Sequence, residues 1–254
     1  FSRAFKVYEL DDYLPNLPLK NLHREQMPKD LLKSLRKGLS FVDRFVVSTQ
    51  PLAEAFAGLH EDIRVVENRL PLDWWQNLHG QRRRGRKPRV GWAGGVSHTG
   101  DLELIVDVVR ELADEVEWVF MGMCPEQIRP YVHEAHAGVD IEAYPAALAA
   151  LDLDLALAPV EQNLFNECKS NLRLLEYGAC GFPVICSDIR CYQGDLPVTR
   201  VKNRFKDWVE AIRMHLADLD ATARQGDELR NRVLRDWMLE GTNLEAWKSA
   251  WSER

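Results

Sequence analysis

Lys169, Arg173 and Glu176 stand at i, i+4 and i+7 in the run CKSNLRLLEYGACG, which sets two cations and a carboxylate close to one stripe of a helix. Helix N-termini carry partial positive charge and prefer acids, so cations in the first turn do little for the helix itself. Beside free backbone N–H groups they make a phosphate site instead, with Ser170 as the expected N-cap and Asn171 next to it. Glu176 lies six residues beyond Ser170, about 9 Å along the axis. A carboxylate there can accept both hydroxyls of a ribose. Phosphate first and sugar second is the order of a nucleoside diphosphate. The competing reading is an Arg173–Glu176 pair at i,i+3 on a solvated face.

A second group lies upstream. Gly94 and Gly95 close an apolar run just before a helical pattern, and glycines there let the backbone approach a ligand. His98 and Asp101 follow at the same edge. His98 can donate to a phosphate or an acceptor hydroxyl, or the two can form a capping cluster at a helix start. Asp152-Leu153-Asp154 has the form of a D-x-D metal motif but opens an apolar strand, and reads as strand-start polarity. His133 and His136, with Cys124 upstream, fall on an expected surface helix and read as solvated. Glu9, Asp11, Asp12 and His23 cluster near the start; a carboxylate pair can act as acid and base in sugar chemistry, although acidic loop clusters are usually solvated.

The elements that must position these groups follow from the apolar pattern. FKVYEL (5–10) and RFVVST (44–49) read as strands, with helices near 28–39 and 51–60 and a short strand near 63–71. The basic stretch 80–89 reads as a solvated linker, with an anionic-membrane or phosphate patch as the alternative. Strands are then expected at 88–94, 116–122, 139–142, 153–160 and 183–187, alternating with helices at 101–113, 125–136, 145–151 and 171–180, and a helical tail runs from about 205 to 251. That rhythm predicts an α/β fold with a Rossmann-like parallel sheet. The expected domains are a partial acceptor-side Rossmann-like domain (1–80), a linker (81–88), a nucleotide-sugar-binding domain (89–220) and C-terminal helices (221–254).

The segment NLFNECKSNLRLLEYGACGFPVICSD (163–188) resembles the donor-binding segment of the retaining glycosyltransferases with two facing Rossmann-like domains, the GT-B type that includes family 4, in its bacterial surface-polysaccharide subgroup. LDLDLALAP resembles the strand that precedes it, and VVENRLP the hinge between acceptor and donor domains. The resemblance implies transfer of a sugar from a nucleoside-diphosphate sugar to a hydroxyl of a glycan or lipid-linked glycan, with retention and no other cofactor. It implies Lys169, Glu176 and His98 as catalytic and Gly94, Gly95, Lys169, Ser170, Asn171, Arg173 and Glu176 as donor-binding, with no metal. It also places acceptor contacts on the side of Glu9 to His23. The chain departs from the family where a glutamate commonly stands eight residues before Glu176, because that residue is Cys168.

A net charge of −6 argues against a nucleic-acid partner. Five cysteines (Cys124, Cys168, Cys180, Cys186 and Cys191) without a C-x-x-C pair point to free thiols in a reducing compartment, hence a cytoplasmic location. No apolar run approaches the ~20 residues that span a bilayer, which leaves peripheral association with the inner membrane face as the expected membrane contact. Phe1 with no signal pattern after it suggests a piece of a longer chain with a further domain. Two other functions fit the same residues: a non-catalytic nucleotide- or carbohydrate-binding module, and a nucleotide-sugar epimerase of similar fold.

Overall fold

Short apolar runs, several of them buried along their whole length, build two all-parallel sheets in a computed structural model that describes residues 4–20, 24–28, 30–95 and 98–252. His23 lies outside the described residues. The first sheet joins β1 (Val7–Leu10), β2 (Arg44–Val47) and β3 (Ile63–Val65) in the order β1-β2-β3. The second joins β4 (Arg89–Gly94), β5 (Glu117–Gly122), β6 (Val132–His136), β7 (Leu155–Ala158), β8 (Val184–Ser187) and β9 (Thr199–Val201). Its order, β6-β5-β4-β7-β8-β9, reverses direction between β4 and β7. In open parallel sheets ligands bind at such a reversal, outside the carboxyl ends of the strands.

Parallel strands buried on both faces read as unbroken apolar runs. Val90 and Trp92 of β4, Trp118 and Phe120 of β5 and Leu155 and Leu157 of β7 enter one core. Their neighbours Ala93, Val119, Met121, Ala156 and Ala158 enter the other. In chain order the helices are α1 (Leu31–Leu39), α2 (Gln50–Ala55), α3 (Leu72–Trp75), α4 (Thr99–Glu103), α5 (Val106–Glu111), α6 (Tyr144–Ala149), α7 (Leu164–Glu167), α8 (Leu172–Ala179), α9 (Phe205–Ala217), α10 (Leu219–Asp236) and α11 (Gly241–Ala250). The single helix expected at 101–113 is therefore two, α4 and α5. Helix α8 lies close on α10 because residue 178 is glycine: a Cβ there would stand 2.8 Å from side-chain carbons of Leu229 and Val233.

The helix expected over 125–136 is replaced by a 3₁₀ turn, Arg129–Tyr131, and strand β6. Pro130 cannot donate to a helical ladder. Arg89 also grips Glu134 through two hydrogen bonds of 2.7 and 3.0 Å, holding the segment against the sheet edge. That grip holds the Glu134 carboxyl down at about 2. His133 and His136 thus sit on an edge strand, and residues 139–142 form loop and turn where a strand was expected. The basic stretch is not free in solvent. The Gln81 and Arg83 amides donate to the Asp152 and Asp154 carboxylates at 2.6 and 2.8 Å, and Arg82 and Arg83 pair with Asp227 and Asp220. Both acids of the D-x-D triplet therefore serve the backbone.

The C-terminal segment ties the sheets together at two joins. The Leu70 amide and carbonyl bond to the Trp237 carbonyl and Leu239 amide at 3.0 and 2.9 Å. Beyond that join, α11 returns to the first sheet, where Ala250 packs with Val46 and Val66. Arg44, almost fully buried, donates from Nη1 to the carbonyls of Ser249, Ala250 and Ser252 at 3.1, 2.9 and 2.9 Å. Its Nε donates to Asp62 at 2.8 Å. The last carbonyls of a helix lack the i+4 amide donor, and the guanidinium supplies one to Ser249 and Ala250 here.

Candidate active site

The loop after β4 and the loop after β7 meet over the strand reversal, and a buried polar network joins them. Asp101 accepts from the Glu161 amide at 2.7 Å and from Asn166 Nδ2 at 3.2 Å through one oxygen, and contacts His98 Nδ1 at 2.7 Å through the other. Asn166 also donates to the Glu161 carbonyl at 3.0 Å. Arg173 donates from Nη2 to His98 Nε2 at 3.1 Å and from Nη1 to the Ala93 carbonyl, with its guanidinium 5.0 Å from the Trp92 ring centroid. The Arg173–Glu176 surface pair does not form: Arg173 is turned into the floor of the site.

This network fixes the His98 tautomer. Arginine can only donate, so Nε2 accepts and Nδ1–H donates to Asp101. Burial, then the Arg173 charge, hold the ring neutral down to about pH 4 against the pull of Asp101. The expected donation from His98 to a phosphate or acceptor hydroxyl is thus corrected: both ring nitrogens are spent positioning Arg173 and Asp101. A stability prediction follows. Between pH 6.5 and about 4 the unfolded chain takes up a proton that the folded chain refuses, so this group lowers stability as pH falls through that window, by up to about 3 kcal/mol. Urea unfolding of His98→Gln should lose roughly 2 kcal/mol less than the parent between pH 6.5 and 4.5. Parallel losses in both proteins would contradict the assignment.

Gly94 is required by packing, since a Cβ there would lie 2.6 Å from the Trp92 ring and 2.8 Å from Arg173 Nη1. Gly95 faces open space. Both line a cleft of about 500 Å³ with Gly122, Val139, Ile141, Tyr144, Arg173 and Glu176. Tyr144 donates to Glu176 Oε2 at 3.0 Å. Burial raises the Glu176 carboxyl, while Arg173 and that hydrogen bond oppose the rise.

At the start of α8 the N-cap is Asn171, not Ser170, and no side chain caps the helix. The Ser170 hydroxyl accepts instead from Asn68 Nδ2 at 3.2 Å, in the segment between the sheets. Lys169 lies with its ammonium 4.8 Å from the Phe165 ring centroid and has no ion pair among the described residues. Burial lowers its pKa, and Asp12 and Asp101 counter that. Lys169, Ser170, Arg173, Glu176 and His98 share a second cavity, of about 270 Å³, with Asp11, Asp12 and Asn68 from the first sheet and the segment after it. Cys168 points the other way, into the core formed by Leu35, Phe45, Leu52 and Phe56. The Thr49 hydroxyl donates to its carbonyl at 2.7 Å. Asn68, Tyr144 and Asn166 carried no sequence signal, because their partners lie 102, 32 and 65 residues away.

No known protein family matches the chain by sequence, and no curated protein does. Solved structures match it closely in shape. TarM superposes with a TM-score of 0.70 at 14% identity, over 98% of this chain and 51% of TarM. The sucrose-phosphate synthase of Thermosynechococcus elongatus superposes with the same score at 17% identity, over 96% of this chain and 66% of the synthase. The chain has the GT-B fold. Anabaena HepE, solved with UDP and glucose, shares this GT-B fold at a TM-score of 0.70 and 13% identity, over 97% of this chain and 71% of HepE. The GT-B chain described here therefore spans about half the length of TarM and 66% of the synthase.

Proposed function

We propose that the cleft at the start of α8 binds a nucleoside-diphosphate sugar, and that the chain is the donor-side part of a retaining glycosyltransferase acting on a cell-surface glycan or its lipid-linked precursor. The observation that carries the reading is Lys169: a partly buried cation without an ion pair among the described residues, beside an uncapped helix start at the strand reversal. Glu176 stands further along that helix, held by Tyr144, where a ribose attached to the diphosphate would lie. The GT-B neighbour HepE was solved with UDP and glucose, which supports a nucleotide-sugar ligand.

In the proposed reaction the anomeric carbon–phosphate oxygen bond breaks and a bond to the acceptor oxygen forms on the same face. The leaving diphosphate takes the acceptor's proton. Lys169, Ser170 and the α8 amides stabilise the negative charge that develops on the diphosphate. Arg173, braced by His98, fixes the floor under Glu176. No helix among the described residues is long and apolar enough to cross a membrane; the proposed contact with the inner membrane face is a peripheral one.

A second reading, a binding module without turnover, is favoured by Cys168, since the position where the resemblance expects a carboxylate is packed in a core. Calorimetric titration with UDP, GDP, dTDP and CMP tests the donor site. Micromolar affinity for one of them is the expected result, and no heat from any would sink the assignment. Donor turnover with and without a glycan acceptor then separates transferase from module.

A further inference from the structure

The cavity at the start of α8 has an unusual charge balance for a site that must take a diphosphate. Its charged lining comprises the cations Lys169 and Arg173 and the acids Asp11, Asp12 and Glu176. His98 is neutral there above about pH 4. Arg173 is committed to Ala93 and His98, so Lys169 is the cation left for a bound dianion. Asp11 and Asp12 sit where β1 ends, on backbone that is tied down. Ser48 Oγ donates to the Asp11 carbonyl at 3.0 Å, and the Leu14 amide donates to the Asp12 carbonyl at 2.9 Å. Among the described residues neither carboxylate has a hydrogen bond or ion pair of its own. Asp12 faces Lys169 across the cavity and is the strongest charge acting to keep it protonated.

When a diphosphate engages Lys169, the acids that follow β1 lose that counter-charge and are left facing whatever the diphosphate carries. A hydroxyl or an ammonium can donate to them; a second carboxylate cannot. Among the described residues the cavity holds no further cation to neutralise one. We propose that the transferred sugar is electrically neutral or carries an amine, and that Asp11 and Asp12 exclude acidic sugars by facing the sugar from the end of β1. This rests on the donor-site reading above. The carboxylates thus approach from the end of β1, whereas Cys168, where the resemblance expects a carboxylate, is packed in a core.

The test is calorimetric titration of UDP, UDP-glucose and UDP-glucuronate into the parent chain and into the Asp11→Asn/Asp12→Asn variant. UDP should bind the variant at least as tightly as the parent, because the substitutions remove like charge beside Lys169. UDP-glucuronate should bind the parent roughly tenfold more weakly than UDP-glucose, the size expected for a like charge placed several ångströms from a partly screened acid. In the variant that gap should shrink to about threefold or less. Equal affinity of the two sugars for the parent, with UDP bound, overturns this proposal alone. So does a gap that the variant leaves unchanged while it still binds UDP and melts at the parent's temperature. Failure of the nucleotide panel and of UDP to bind at all overturns the donor site and this inference with it.

Discussion

Lys169→Met should weaken nucleoside-diphosphate binding by roughly 30- to 100-fold, the loss expected for a charge-assisted contact in a partly desolvated site. The same substitution should leave the affinity for the bare nucleoside unchanged, because Glu176 and the cleft lined by Val139, Ile141 and Tyr144 are untouched. Its effect on the empty protein should have the opposite sign. The ammonium sits against Phe165 with its pKa lowered by burial and without an ion pair among the described residues, so an apolar side chain of similar length relieves a desolvation cost. Stability should rise by about 1 kcal/mol. Paired titrations and thermal melts check both halves. A loss of diphosphate affinity below about threefold would mean that Lys169 does not touch phosphate.

Arg44→Ala should be the most destabilising single change in the first sheet, at about 3–5 kcal/mol. It removes the guanidinium that holds the carbonyls of Ser249, Ala250 and Ser252 together, and leaves Asp62 without its buried partner. For a chain of this size that corresponds to a fall in Tm of roughly 10 °C. The loss should be accompanied by faster chymotryptic cleavage near Trp247 and Trp251, since α11 is held to the first sheet by few other contacts. Arg44→Lys should recover only part of the loss, because an ammonium cannot reproduce the spread of a guanidinium fork. A Tm shift of less than about 2 °C in the alanine variant would contradict this account.

Much of the second sheet was legible in the sequence because β4, β5, β7 and β8 are buried on both faces and so carry unbroken apolar runs. Strand β6 was not, because it lies at the edge and reads VHEAH, polar enough to pass for a surface helix. Lys169, Arg173 and Glu176 could be picked out from their spacing, but their fates could not. Nothing in the sequence near Arg173 shows that its guanidinium lies over Trp92, or that His98 spends both nitrogens bracing that floor. Ser170 looked like a cap on local grounds, yet its hydroxyl is claimed by Asn68 from 102 residues away. Local pattern specifies which face a residue takes. It is silent about partners brought together by the return of a distant segment.

The Arg44 clasp also bears on how the chain is made. Residues 44 and 249 are 205 positions apart, so a ribosome that has just released β2 still has the whole second sheet to synthesise before α11 emerges. Until then Arg44 has no carbonyls to hold, and Val46 and Val66 wait uncovered. The second sheet does not depend on α11 for its cover, so it can settle first and present α10 as a fixed base from which α11 swings back. Vectorial synthesis thus leaves the earliest-made strands to finish last, and a nascent chain stalled before residue 241 would expose that apolar face to chaperones.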